Sequence, residues 1–304
     1  MKFEINILGC GAATPTLKRL NTAQLLNIHD KLFLIDCGEG TQLQLRKYKF
    51  KFQRISHIFI SHLHGDHYLG LIGLMSSMHL LGRTKTLHIF GPKGLDELLE
   101  VNLRISQSFF SYRYEFHVTN AKSPELIMED NTLKISSFPL KHRIDCTGFV
   151  IIEKEKKNRI IKQKISQYEL GVVEILELKK GNDITRENGQ IITSNECTLS
   201  PLPPRKYVFM SDTFPSTKYI DLVKGADLLY HESTFLEDKV KRAKETMHST
   251  ASGAAKFAKL AEVQKLVLGH FSSRYTDVSL FKEEASEHFS NVVLAKDGLS
   301  IKVE

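Results

Sequence analysis

Apolar and polar positions alternate from Phe3 to Leu8 as in a half-buried strand, and a turn of small residues, Gly9-Cys10-Gly11-Ala12-Ala13, follows. After Lys31 the run LFLI leads to Asp36, and CGEGTQLQLRK turns through two glycines into a helix. Thr86 to Phe90 predicts a strand, Gly91-Pro92 a turn and Lys93 to Leu103 a helix. Further strands are expected at Leu133 to Leu140, Tyr207 to Met210, Leu228 to Tyr230 and Lys265 to Leu268. Ser249 to Leu260 reads as an amphipathic helix capped by Ser249 or Thr250, and Leu299 to Val303 as a closing strand. Strands and helices are thus mixed along the chain, the pattern of an α/β protein.

The apolar runs end in chemistry. The strand before His62 stops at Ser61, and those that follow stop at Lys141-His142, Ser211-Asp212-Thr213, His231-Glu232-Ser233-Thr234 and Gly269-His270. A polar residue capping a strand is ordinary, but here five strands end in a group able to bind metal or move a proton. The densest case is Ile55 to Leu69, ISHIFISHLHGDHYL, where His62, His64, Asp66 and His67 crowd into one turn. Gly65 is expected there in a backbone conformation that a side chain would hinder, and LGLIGLMSSMHLL as a helix starting near His67. His62 and His64 can close on one metal ion, while Asp66 and His67 face a second. Imidazole and carboxylate without thiolate suit zinc, with manganese or iron as alternatives, in a hydrolytic site. Asp36 reads as a buried acceptor bracing this loop. His29, His57, His79, His88, His117 and His288 have no partner nearby in sequence and read as core or surface histidines.

The 304 residues suffice for one large or two modest domains, and 41% hydrophobic content for a sizeable core. No apolar run approaches the ~20 residues that span a bilayer, and MKFEINILGCG reads as a strand and turn instead of a signal peptide, so a cytoplasmic protein without a membrane partner is expected. Cys10, Cys37, Cys146 and Cys197 form no CxxC pair and read as buried thiols. A formal charge of +7 is compatible with a polyanionic partner. Lys18 and Arg19 lie in a loop after the small-residue turn. The segment Glu153 to Pro204 stands apart, with Lys154, Lys156, Lys157, Arg159, Lys162 and Lys164 at its start and Pro201-Leu202-Pro203-Pro204 at its end. It reads as an inserted arm, either solvated or gripping a polyanion.

LFLIDCGEGTQ, HIFISHLHGDH, the strand ending in His142, FMSDT, HESTF, HST and LGHFSSRY together resemble the ribonuclease Z family of tRNA 3′-processing endonucleases, in the metallo-β-lactamase superfamily. The resemblance spans nearly the whole chain and implies an αββα sandwich, two β-sheets flanked by helices, as a single domain over residues 1–304 with a tRNA-binding arm at 153–204. It implies one Zn2+ on His62, His64 and His142, a second on Asp66, His67 and His270, and Asp212 bridging them. Asp66 would also orient the attacking water, and His248, supported by Glu232, would handle a proton at the leaving group. Lys18, Arg19, Lys154, Lys156, Lys157 and Arg159 are the implied RNA-binding residues. The implied reaction removes the 3′ trailer of precursor tRNA after the discriminator nucleotide, in a cytoplasmic homodimer. The sequence departs from the family in PTLKRLN, one residue longer than usual, and in LGVVEILELKKG, which stands where a Gly-Pro tip is usual. The rival readings are a phosphodiesterase of the same fold acting on cyclic nucleotides or small diesters, and a non-catalytic RNA-binding scaffold.

Overall fold

The computed structural model of the protein describes residues 2–304. The chain forms two compact units. The first comprises the chain up to Met128, Ile135–Ile151 and Lys206–Glu304; the second comprises Glu129–Lys134 and Ile152–Arg205.

Two seven-stranded sheets carry the fold. One runs Ser300–Lys302, Phe3–Gly9, Ala23–Ile28, Lys31–Ile35, Ile55–Phe59, Leu87–Gly91, Tyr114–Val118; the other runs Val292–Leu294, Leu266–Gly269, Leu228–Glu232, Lys206–Met210, Thr147–Glu153, Leu133–Pro139, Glu125–Glu129. They face one another through apolar side chains, with the Phe59 ring 5.6 Å from that of Phe149, and through a hydrogen bond from the buried Tyr207 hydroxyl to Gln24 Oε1. On the first sheet's outer face, Leu34, Ile58 and Ile89 share a core with Leu71, Leu74, Met75 and Met78 of the helix Leu71–Leu80 and with Leu95 and Leu99 of the helix Leu95–Ile105. The helix Ala251–Leu260 packs on the strand Leu266–Gly269 of the other sheet and on the helix Ser279–Ser286. The architecture is two sheets flanked by helices, as expected. Thr250 caps the helix Ala251–Leu260, its hydroxyl accepting from the Gly253 N–H at 3.0 Å.

Two local expectations are corrected. The helix near His67 is broken into Gly65–Tyr68 and Leu71–Leu80 at Gly70. There the Gly70 N–H donates to Cys37 O at 2.9 Å, and a Cβ would sit 2.2 Å from Gly38 O, so the backbone crossing requires glycine. Gly65 lies in the first turn of the short helix with no positive φ; the left-handed conformations fall at Asp36 (φ 54°) and His270 (φ 58°). All four cysteines are buried and free, and burial pushes the Cys37 thiol up to about 12. Among the described residues no helix is long and apolar enough to cross a membrane.

The second unit has its own small core of Leu170, Leu178, Ile192 and Cys197, between the helices Lys162–Gln167 and Val172–Lys180 and two short antiparallel pairs. It includes the turn Glu129–Lys134, tied in by the Lys154 N–H to Thr132 O at 2.8 Å and by Lys154 Nζ to Glu129 Oε1 at 2.6 Å. Its basic character is local. The unit carries eleven Lys and Arg against ten Asp and Glu, so the chain's positive excess resides in the first unit.

Candidate metal centre

Strand ends deliver the polar side chains. The parallel strands Lys206–Met210, Leu228–Glu232 and Leu266–Gly269 lie side by side, and Asp212, Glu232 and His270 sit at or just past their C-terminal ends. His142 follows the strand Leu133–Pro139 of the same sheet, and the loop after the strand Ile55–Phe59 brings His62, His64, Asp66 and His67 from the facing sheet.

The side chains form two groups that could each hold a metal ion: His62, His64, His142 and Asp212, and Asp66, His67 and His270. In the first, His64 Nδ1 lies 3.0 Å from His62 Nε2 and 3.1 Å from His142 Nε2. In the second, His270 Nε2 and His67 Nε2 lie 3.3 and 3.5 Å from Asp66 Oδ2. Asp212 faces both, with Oδ2 at 3.6 Å from His62 Nε2 and 3.9 Å from His142 Nε2, and Oδ1 at 3.4 Å from His67 Nε2 and 3.1 Å from His270 Nε2.

The outward ring nitrogens are engaged elsewhere. His67 Nδ1 meets Asp36 Oδ2 at 2.7 Å, His62 Nδ1 meets Ser61 Oγ at 3.0 Å, His142 Nδ1 meets Met247 O at 3.2 Å and His270 Nδ1 meets Thr234 Oγ1 at 2.9 Å. Asp36 is fully buried and also accepts from the Ser61 N–H at 2.8 Å, bracing the loop. Partners on the outer nitrogen fix the tautomer and leave the inner lone pair free, as in metal-binding histidines. His67 Nε2 is buried without a hydrogen-bond partner. Imidazole nitrogens 3.0–3.1 Å from one another and 3.1–3.9 Å from carboxylate oxygens, one of them orphaned, fit a borderline divalent cation such as zinc.

The electrostatics have the same sense. Burial pushes His62, His64 and His142 down from the ordinary imidazole range, keeping their lone pairs available. Burial alone would raise Asp66 and Asp212, but His67 and His270 beside the first and His270, His67, His248 and His62 around the second hold both carboxyls below their ordinary range. His67 is the exception: burial would lower it, and Asp212, Asp66 and Asp36 together raise it.

Beside these groups His248 Nδ1 lies 3.1 Å from Glu232 Oε1. Burial would lower His248, but Glu232 and Asp212 outweigh it and raise the imidazole to about 9. Glu232 is fully buried and accepts from the N–H groups of Ser249 at 2.8 Å, Thr234 at 2.9 Å and Thr213 at 3.1 Å. Asp66, His248 and His270 line a cleft of about 590 Å³ together with Arg143, Arg242 and Arg274, which suits an anionic substrate.

The proposed RNA-binding residues have other neighbours. Lys18 is exposed, and Arg19 is half-buried, its guanidinium bonded to Tyr275 O. In the second unit Lys154 and Lys156 form ion pairs with Glu129 and Glu153, Arg159 Nε donates to Ser200 O at 3.0 Å, and Lys157 is exposed. Sequence reasoning missed Ala13, whose N–H donates to Asp66 Oδ2 at 2.7 Å, Thr234, which links Glu232 to His270, and the three cleft arginines.

Residues 3–161 match the family model described as Anti-Pycsar protein Apyc1. The chain is 47% identical to a ribonuclease Z of Bacteroides fragilis over 302 residues, 99% of each chain. Among solved structures it is similar to human tRNase Z, short form, with 30% identity, a TM-score of 0.73 and 99% of both chains covered. The metallo-β-lactamase fold protein YhfI from Bacillus subtilis, at 18% identity and a TM-score of 0.70, covers 99% of this chain and 100% of its own.

Proposed function

The chain belongs to the ribonuclease Z family, and on that premise we propose that it cuts precursor tRNA after the discriminator nucleotide, leaving a 3′-hydroxyl on the tRNA and a 5′-phosphate on the trailer. The observation that carries this reading is the His248–Glu232 pair set beside the metal-binding groups in an arginine-lined cleft. The match to the Apyc1 model ends at residue 161, before Asp212, Glu232, His248 and His270, whereas the ribonuclease Z relatives match throughout.

Two divalent ions, zinc by their donors, would be held by His62, His64 and His142 and by Asp66, His67 and His270, with Asp212 shared. Bound there, such ions supply Lewis-acid chemistry, easing deprotonation of water and neutralising phosphate charge. Asp66, fixed by the Ala13 N–H, orients the attacking water. As the water oxygen gives up a proton to solvent and bonds to phosphorus, and the bond to the 3′-oxygen breaks, His248 in its imidazolium form passes a proton to that oxygen. Glu232 holds Nδ1 and turns Nε2 of the same ring toward Asp212, at 3.9 Å. Lys18, Arg19, Lys157 and Arg159, with Lys154 and Lys156 once released from their ion pairs, would grip the tRNA backbone.

The enzyme would work as a cytoplasmic homodimer. Leu69, Leu80 and Leu81, at the ends of the helix Leu71–Leu80, are 56%, 79% and 57% exposed, apolar surface that a second copy would cover. Light scattering should give twice the 34.6 kDa chain mass; the single mass would count against pairing. Incubation with a precursor tRNA and mapping of both new ends tests the activity itself. Cleavage elsewhere, or a 3′-phosphate on the tRNA, would overturn the reading.

A further inference from the structure

The strands Leu87–Gly91 and Tyr114–Val118 run parallel at one edge of the first sheet, with His88 opposite Glu115 and Phe90 opposite His117. Side chains two apart on a strand share a face, so His88, Phe90, Glu115 and His117 stand together. His57 joins them from the next strand, opposite His88. Sequence distance separates His88 from His117 by 29 positions, and strand pairing cancels it.

His88 Nδ1 lies 3.2 Å from Glu115 Oε2 and 3.2 Å from His117 Nε2. A ring nitrogen carries at most one proton, and a single N–H cannot point well along both lines. A cation among the three atoms would take one lone pair from each. In a tetrahedron with metal bonds of about 2.0–2.1 Å, neighbouring ligand atoms are about 3.3 Å apart, close to both separations.

The three side chains are also held in place. The His88 ring stacks on His57 with centroids 4.9 Å apart, and the His117 ring on Phe90 at 4.4 Å. Arg113 Nη2 holds the other Glu115 oxygen, Oε1, at 2.6 Å and leaves Oε2 for a ligand. All three residues are half-buried, so a further coordination position remains open to water. The cluster is separate from the metal centre already described: it starts near the beginning of the strand Leu87–Gly91, whereas the His62–His67 loop follows the C-terminal end of the neighbouring parallel strand Ile55–Phe59.

We propose that His88, Glu115 and His117 bind a further divalent transition-metal ion, zinc by its donor set, which fastens the edge strand Tyr114–Val118 to its neighbour. Two imidazoles, one carboxylate and an open position are a recognised zinc environment. Carboxylate-only cations such as magnesium would gain little from the imidazoles.

Crystals of the metal-loaded wild-type enzyme, equilibrated with millimolar zinc, should show a zinc-edge anomalous peak between these three side chains. Elemental analysis after dialysis should find one zinc per chain fewer in His117→Ala and in Glu115→Gln than in wild type, with turnover of precursor tRNA unchanged. An anomalous map with no peak at the cluster overturns the proposal whatever the variants do. So does equal zinc content in folded wild type and variants.

Discussion

His248 Nδ1 lies 3.1 Å from Glu232 Oε1, while Nε2 of the same ring faces Asp212 Oδ2 at 3.9 Å. One imidazole therefore joins a fully buried carboxylate, satisfied by three backbone donors, to Asp212, whose two oxygens face the two groups of histidines.

If His248 gives its proton to the departing 3′-oxygen, its loss is felt most where the leaving group is poor. His248→Ala should lower kcat on precursor tRNA by about 10²–10⁴. The loss on bis(p-nitrophenyl) phosphate, whose nitrophenolate leaves without help, should be much smaller. Equal losses on both substrates, with metal content unchanged, would assign the ring to charge stabilisation.

Glu232 raises the His248 pKa, so removing its charge must lower it. If the reaction uses protonated His248, as proposed, the alkaline limb of the pH profile for kcat should move to lower pH in Glu232→Gln. A purely structural loss would scale the profile without moving it. Thermal unfolding of the same variant separates the two outcomes, since Glu232 also ties Thr213, Thr234 and Ser249 together.

Chelation should abolish cleavage, and zinc should restore it. His64→Ala is expected to lose metal and activity together, whereas Asp36→Ala, which removes the partner of His67 Nδ1 and the acceptor of the Ser61 N–H, should weaken metal affinity by about 10–100-fold and be rescued by added zinc. Full zinc occupancy in Asp36→Ala at limiting metal would show that the carboxylate does not tune the site.

The second unit contributes no residue to the metal-binding groups. Its ends meet where the Glu153 N–H donates to Arg205 O at 3.0 Å, so a tight turn can replace residues 157–202. That deletion should raise KM for precursor tRNA and leave hydrolysis of the small diester largely intact. Because the unit is nearly neutral overall, salt dependence should persist in part, carried by the first unit. Equal damage to both substrates would mark the arm as structural.

The site was legible where chemistry is contiguous or ends a strand. His62 to His67 stand in one turn, and His142, Asp212 and His270 each interrupt an apolar run, so the pattern that built the sheets also marked the residues that the fold brings together. Contacts made by backbone or by side-chain relays were not legible. The Ala13 N–H has no side-chain signature, and nothing in HESTF says that Thr234 reaches both Glu232 and His270. The polar content of Tyr114–Val118, all half-buried or exposed, concealed an edge strand and with it the meeting of His88, Glu115 and His117. Gly65 misled because its neighbourhood looked like a tight turn, while a short helix with ordinary backbone angles makes the turn instead.

The groups around Asp212 come from sequence positions as far apart as His62 and His270 and from both sheets, so no short fragment of the chain contains them. During synthesis the histidine loop emerges early and waits, exposed, for more than two hundred further residues before His270 can join it. Contacts of such long range form late, after loop closure has been met by sheet docking. Only the group of Asp66, His67 and His270 has to wait for the last of these residues; the group of His62, His64, His142 and Asp212 is complete in sequence once Asp212 has been made.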